Sequence, residues 1–154
     1  MKNKIIVSTG IILSLFIWAC GGSDSNNTAS SEAPSSTEVS NDEKGIGSVK
    51  HVELTNPLDP AMIESGKGVY NLKCSACHRL TKEKLVGPGW LGVTQRRKPE
   101  WIMNFAINAD EMLNKDATAM ALLEECLVRM PNQNLTEADA RNVLEFMRNN
   151  DGEK

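Results

Sequence analysis

The stretch that decides this chain runs Cys74-Ser75-Ala76-Cys77-His78. It is a C-x-x-C-H sequence, the attachment signature of a c-type haem. The spacing has a physical basis. Two cysteines three apart sit on neighbouring sides of one helical turn, and each can bond a vinyl group of one porphyrin. The histidine that follows then turns its ring toward the iron from the same face. Other chemistries use the same residues. A thioredoxin-like thiol pair wants a βαβ context, and no strand-like runs flank this one. A zinc site needs four ligands, and from residue 57 on the chain offers only Cys74, Cys77, His78 and Cys126. A structural disulfide between Cys74 and Cys77 is a third. One haem c, bonded through Cys74 and Cys77, is the expected cofactor.

The N-terminus points to the same compartment by a separate route. Lys2 and Lys4 form a short positive region, and Ile5 to Trp18 is an apolar run broken by small polar residues. That is short for a membrane span, which needs about 20 residues, and it has the layout of an export signal over 1–19. The run ends Ile17-Trp18-Ala19-Cys20-Gly21, which resembles a bacterial lipobox, with Cys20 as the lipidated residue. An ordinary signal with an incidental cysteine is the other reading. Residues 21–56 contain eight Ser, three Thr, four Asn and four Gly. Residues 20–56 are therefore expected to be the lipidated cysteine and a flexible linker, since so little apolar surface cannot offset the entropy of ordering. Such a coil spans on the order of 30 Å, and Val49, Val52 and Leu54 are candidates to pack against the domain that starts at 57.

That domain, 57–154, reads as helices. Asp59-Pro60 is a helix start, with a capping carboxylate and a first-turn proline. Gly66, four residues before Tyr70, costs helix propensity and implies close approach of another backbone. Pro99 opens a second helix carrying Trp101, Ile102, Phe105 and Ala106. Asp116 caps a third, with Ala119, Leu122, Leu123 and Cys126 on one face. Thr136 to Asp139 forms a capping box, and Ala140, Val143, Leu144 and Met147 share a face on the helix that follows to about Asn149. No segment alternates with period two for long. The net charge of -3 argues against a nucleic-acid binder, and aromatic content of 5% leaves a core that a bound cofactor would help fill.

Residues 57–154 resemble class I cytochrome c. An N-terminal helix with Gly66 and Tyr70 leads into the attachment motif. A Gly87-Pro88 loop follows, then Met130-Pro131, then a C-terminal helix. The resemblance implies a cytochrome c-like, all-α fold of about four to five helices around one covalently bound haem, with the first and last helices crossing at Gly66 and Tyr70. It also implies that the Pro88 carbonyl accepts a bond from the proximal histidine. Trp90 stands where the family often has leucine, and is expected as a larger haem-wall residue. The patterns around Trp101, Asp110 and Met130 are similar to small monohaem cytochromes encoded beside nitrous-oxide reductase.

The iron of a six-coordinate cytochrome needs a second axial ligand. Met103, Met112, Met120 and Met147 fall on helical stretches, where methionine is more often core filler, and Met62 precedes the motif. Met130 lies between helices, free to approach the iron, and is the expected partner of His78; His51 is the alternative. Cys126 is expected to be a small buried hydrophobe, or else a reactive thiol. A haem with both axial positions filled has no place for a small-molecule substrate, so the expectation is an electron carrier rather than an enzyme. It would sit in the periplasm, tethered through Cys20, and serve a terminal reductase or oxidase. A gas or redox sensor with an open iron is the alternative. From 67 to 98 there are eight basic residues (Lys67, Lys73, Arg79, Lys82, Lys84, Arg96, Arg97 and Lys98) against Glu83 alone. That bias predicts a docking face for an acidic redox partner.

Overall fold

A computed structural model describes residues 42–154. The expected signal peptide (1–19), the lipidation site Cys20 and the linker as far as residue 41 lie outside the described residues. Helix α1 (Pro60–Val69) starts as its sequence asks, with the Asp59 carboxylate accepting from the Ala61 and Met62 N–H groups. It then widens into a π-type turn over Tyr70–Cys74, where the Ser75 N–H reaches back to the Tyr70 carbonyl at 2.9 Å. A long loop leads to α2 (Val93–Arg96), followed by α3 (Pro99–Ile107), α4 (Ala109–Lys115), α5 (Ala117–Cys126) and α6 (Glu137–Asn150). Asp116 caps α5 through the Ala119 N–H, and Thr136 and Asp139 cap each other's backbone at the start of α6.

The fold is all-α, with no strand among the described residues. No helix among them is long and apolar enough to cross a membrane. Among the described residues six α-helices stand where four to five are expected, because α2 and α4 have only four and seven residues. Elements that short do not display an apolar period, and the Asn108 cap that starts α4 is easy to pass over.

Helices α1 and α6 cross at Gly66. A Cβ there would lie 2.1 Å from the Asn142 carbonyl oxygen and 2.9 Å from the Phe146 Cβ, so only glycine lets the two backbones approach this closely. Tyr70 continues the contact, its ring 5.6 Å from Phe146. Ala140, Val143, Leu144 and Met147 are buried, as their shared face predicts, but so are Glu145 and Arg148.

The segment 44–56 corrects the expected linker boundary. It is not a free coil but a strap packed on the helices, with Val49 and Val52 in the core and Leu54 left exposed. Asn104 of α3 holds it: its Oδ1 accepts from the Val49 N–H at 3.0 Å, and its Nδ2 donates to the carbonyls of Lys44 and Val49. The Ile46 N–H donates to Met112 Sδ. Farther along, the Thr55 hydroxyl donates to Glu145, while Arg148 donates to the Thr55 carbonyl and Arg141 to that of Glu53. A segment poor in apolar residues is ordered here because the helical body supplies partners for its backbone. Local composition cannot register partners fifty or more residues away.

Candidate functional site

The attachment motif closes a single turn. The N–H groups of Cys77 and His78 both bond to the Cys74 carbonyl, at 3.0 and 2.9 Å. Cys74, Cys77 and Cys126 are free thiols. Burial pushes the Cys74 thiol up to about 11, with the Lys73 charge pulling the other way, so it is protonated at neutral pH. A protonated thiol is a poor nucleophile. Among the described residues no three His, Cys, Asp or Glu side chains converge to hold a metal ion, so the zinc alternative of Cys74, Cys77, His78 and Cys126 has no geometric basis.

The loop after the motif exists to fix one imidazole. His78 Nδ1 donates to the Pro88 carbonyl at 2.9 Å, the bond expected of Pro88. With Nδ1 carrying the proton, Nε2 keeps its lone pair. Burial lowers the pKa of His78, opposed by the Pro88 bond, so the ring is neutral and able to ligate a metal. Gly87 lies against the ring face: a Cβ there would be 2.4 Å from the ring Cε1. The N–H groups of Val86 and Gly87 return to the Cys77 carbonyl, and the Tyr70 hydroxyl donates to the His78 carbonyl at 2.8 Å. Trp90 is buried beside this assembly, 5.6 Å from the His78 ring and 5.0 Å from Tyr70.

One apolar cavity takes in Cys74, Cys77, His78, Pro88, Trp90 and Met130. Much of its remaining wall comes from α3, α4, α5 and α6, chiefly Trp101, Ile102, Phe105, Leu113, Leu122 and Val143. Two methionines reach it: Met147, buried on α6, and Met130, on the non-helical segment between α5 and α6. Met103 and Met112 are core filler, and His51 stands outside the cavity, exposed and paired with Glu53 at 2.6 Å. Cys126 is a half-buried wall residue rather than fully buried filler; burial raises its pKa, which keeps it a thiol. The charged residues of the wall are Lys73, Arg96, Arg97 and Arg129, with no carboxylate among them. Apolar walls, one neutral imidazole and two thiols at its foot fit a flat, covalently held macrocycle whose iron His78 would ligate.

Sequence reading missed several residues of this site. Gly89 is one: it follows Pro88 and packs so closely on the 81–83 turn that a Cβ would meet the Thr81 carbonyl at 2.2 Å. The Gly-Pro-Gly run was the available signal. Asp151 gave none. Its carboxylate accepts from the Gly92 and Thr94 N–H groups and the Thr94 hydroxyl, while Asn150 donates to the Leu80 carbonyl. The last turn of the chain thus holds both ends of the loop that carries Pro88.

Comparison with known proteins agrees with the helical fold. A family model described as cytochrome c matches residues 63–151. No curated protein matches the chain. Among solved structures, cytochrome c from Rhodothermus marinus is 36% identical with a TM-score of 0.66, the match covering 68% of this chain and 90% of that one. An engineered form of that protein, Rma TDE, is 35% identical with a TM-score of 0.65, at the same coverage. Its structure bound to a carbene intermediate is 36% identical, covers the same shares and has a TM-score of 0.63.

Proposed function

The chain belongs to the cytochrome c family, and from that premise we propose that it is a membrane-tethered, periplasmic single-electron carrier whose haem iron His78 and Met130 would ligate. The family holds haem c covalently through its cysteines, here Cys74 and Cys77, and its work is haem-based electron transfer. Bound there, the haem supplies a one-electron change at its iron. The chain's own residues do the rest. Pro88 and Gly87 orient His78, the apolar wall excludes water, and Met130 offers a thioether, a soft ligand that favours the ferrous state.

The observation that carries this reading is the His78–Pro88 bond inside a cavity that also takes in Met130. The test is a pair of oxidised and reduced absorption spectra of the haem-loaded protein, beside Met130→Ala. A low-spin spectrum with a weak long-wavelength sulfur-to-iron band, lost in the variant, supports the ligand pair. A high-spin spectrum that shifts with carbon monoxide refutes it. That second outcome would favour a ligand-binding haem, a reading to which the carbene-bound engineered relative lends interest.

The tether rests on the export signal over 1–19 and on Cys20, followed by a linker that ends by residue 44, where the strap begins. Metabolic labelling with a palmitate analogue, lost in Cys20→Ser, tests it. The electron acceptor is a respiratory terminal reductase; the sequence pattern around Met130 favours nitrous-oxide reductase, and a terminal oxidase is the alternative. The partner docks through an acidic face. In support, Lys98 pairs with Glu43 at 3.7 Å, whereas Lys67, Lys73, Arg79, Lys82, Lys84, Arg96 and Arg97 form no ion pair within 4.0 Å among the described residues. Screening by salt should slow such docking.

A further inference from the structure

Asp116 is only 1% exposed, and two N–H groups donate to its Oδ1: that of Ala119 at 2.8 Å and the Trp101 indole Nε1 at 3.2 Å. No cation stands within 4.0 Å of it among the described residues. Neither bond requires a charge. Asparagine and serine cap helices as well as aspartate does, and an asparagine side-chain oxygen could accept from the indole in the same way. Burying a carboxylate that lacks a cation costs more than burying a neutral amide. The negative charge at 116 is therefore surplus to the cap and to the indole bond.

The cavity lies beyond that indole. Trp101 is a wall residue and is itself buried, whereas Asp116 does not reach the wall, so the ring stands between the carboxylate and whatever fills the cavity. The charged residues of the wall are all cations, and one of them, Arg97, lies 5.2 Å from the centre of the same ring. Asp116 supplies a charge of the opposite sign from behind. Because it is buried, water and salt screen it little. At an effective dielectric of about 20, a unit charge one side chain behind the wall shifts a one-electron equilibrium in the cavity by about tenfold.

We infer that Asp116 sets the redox potential of this protein: a fixed negative charge behind Trp101 that favours the oxidised iron and offsets the rise that a thioether ligand and apolar walls impose. The inference rests on the electron-carrier reading above and adds the residue that trims the driving force of the carrier. Oxidised haem holds one more positive charge than reduced haem, so a nearby carboxylate favours the oxidised form. Removing that charge while keeping the shape should favour the reduced form.

The experiment is a spectroelectrochemical titration of the haem-loaded protein at neutral pH, with native protein beside Asp116→Asn, Asp116→Ser and Glu53→Gln. Asp116→Asn keeps the cap and an acceptor for the indole, so its absorption spectrum should stay native. Its midpoint potential should rise by the equivalent of about tenfold, which is about 59 mV for one electron. Asp116→Ser also caps without a charge and should rise too; it carries the test if Asp116→Asn fails to take up haem. Glu53→Gln removes an exposed carboxylate on the strap and should leave the potential where it is. The rise in Asp116→Asn should persist at high salt, as a buried charge requires. An unchanged potential in the Asp116 variants, an equal rise in Glu53→Gln, or a rise that vanishes at high salt refutes the inference. A high-spin native spectrum would instead overturn the electron-carrier reading, whatever the Asp116 variants do.

Discussion

Gly66 sets local helix propensity against tertiary packing, and the two forecast opposite signs. On an isolated helix, Gly66→Ala would stabilise by about 1 kcal/mol. In the folded chain the new Cβ would stand 2.1 Å from the Asn142 carbonyl oxygen and 2.6 Å from its carbon. An ordinary carbon–oxygen contact is about 3.4 Å, so α1 must move off α6 by roughly 1 Å. The obstructing atoms are backbone and cannot swing aside. Overpacking of this kind costs about 1–3 kcal/mol, and the upper end applies, leaving Gly66→Ala about 1–2 kcal/mol less stable than native. Gly68, two residues on, is the control: nothing lies within 4 Å of the Cβ it would carry, so Gly68→Ala should gain about 0.5–1 kcal/mol. The assay is guanidinium unfolding of the haem-loaded protein, followed by far-ultraviolet circular dichroism and by haem absorbance. Gly66 is not a cavity residue, so the native-state spectrum should be unchanged. A Gly66→Ala midpoint at or above native would refute the close crossing of α1 and α6.

Three further outcomes are expected. Glu145 is fully buried, and although burial alone would raise its pKa, bonds from Thr55, Arg141, the Asp59 N–H and Arg148 bring it down to about 2. A folded value below the ordinary 4.5 means that its stabilisation is complete above pH 4.5 and is lost as pH falls from there toward 2. Glu145→Gln should therefore cost about 3 kcal/mol at pH 7 and flatten the acid limb of a stability profile; an unchanged limb would contradict the network. Asn104→Ala removes the three bonds that hold the N-terminal half of the strap at Lys44 and Val49, so trypsin should cut at Lys44 and Lys50 while the helical body stays folded, where native protein resists. Gly87→Ala forces a Cβ into the His78 ring, and should displace the Pro88 carbonyl and lower the iron–histidine stretching frequency in resonance Raman spectra of the five-coordinate Met130→Ala background; an unshifted band would show that the loop yields without moving the ring.

Much of this chain is legible locally because its governing interactions span only a few residues. The attachment motif names its cofactor, since two thiols and an imidazole at that spacing suit one porphyrin edge. Asp59, Asp116 and the Thr136–Asp139 pair mark helix starts because each side chain bonds backbone groups two or three residues away. Gly66 betrays a close approach by breaking the helix rule around it.

What only tertiary structure decided lies farther apart along the chain. The strap over 44–56 looks like linker until Asn104 and Glu145 are seen bonding to its backbone and to the Thr55 hydroxyl. Glu145 reads as a solvent-facing helix residue until the same strap buries it. Asp151 holds the loop of Pro88 from fifty-seven residues away. Sequence alone determined the cofactor chemistry, the helical class and the starts of α1, α3, α5 and α6, because those depend on neighbours. Tertiary structure decided where the folded body begins, which charges are buried and which apolar side chains face outward, because those depend on partners that local pattern cannot contain.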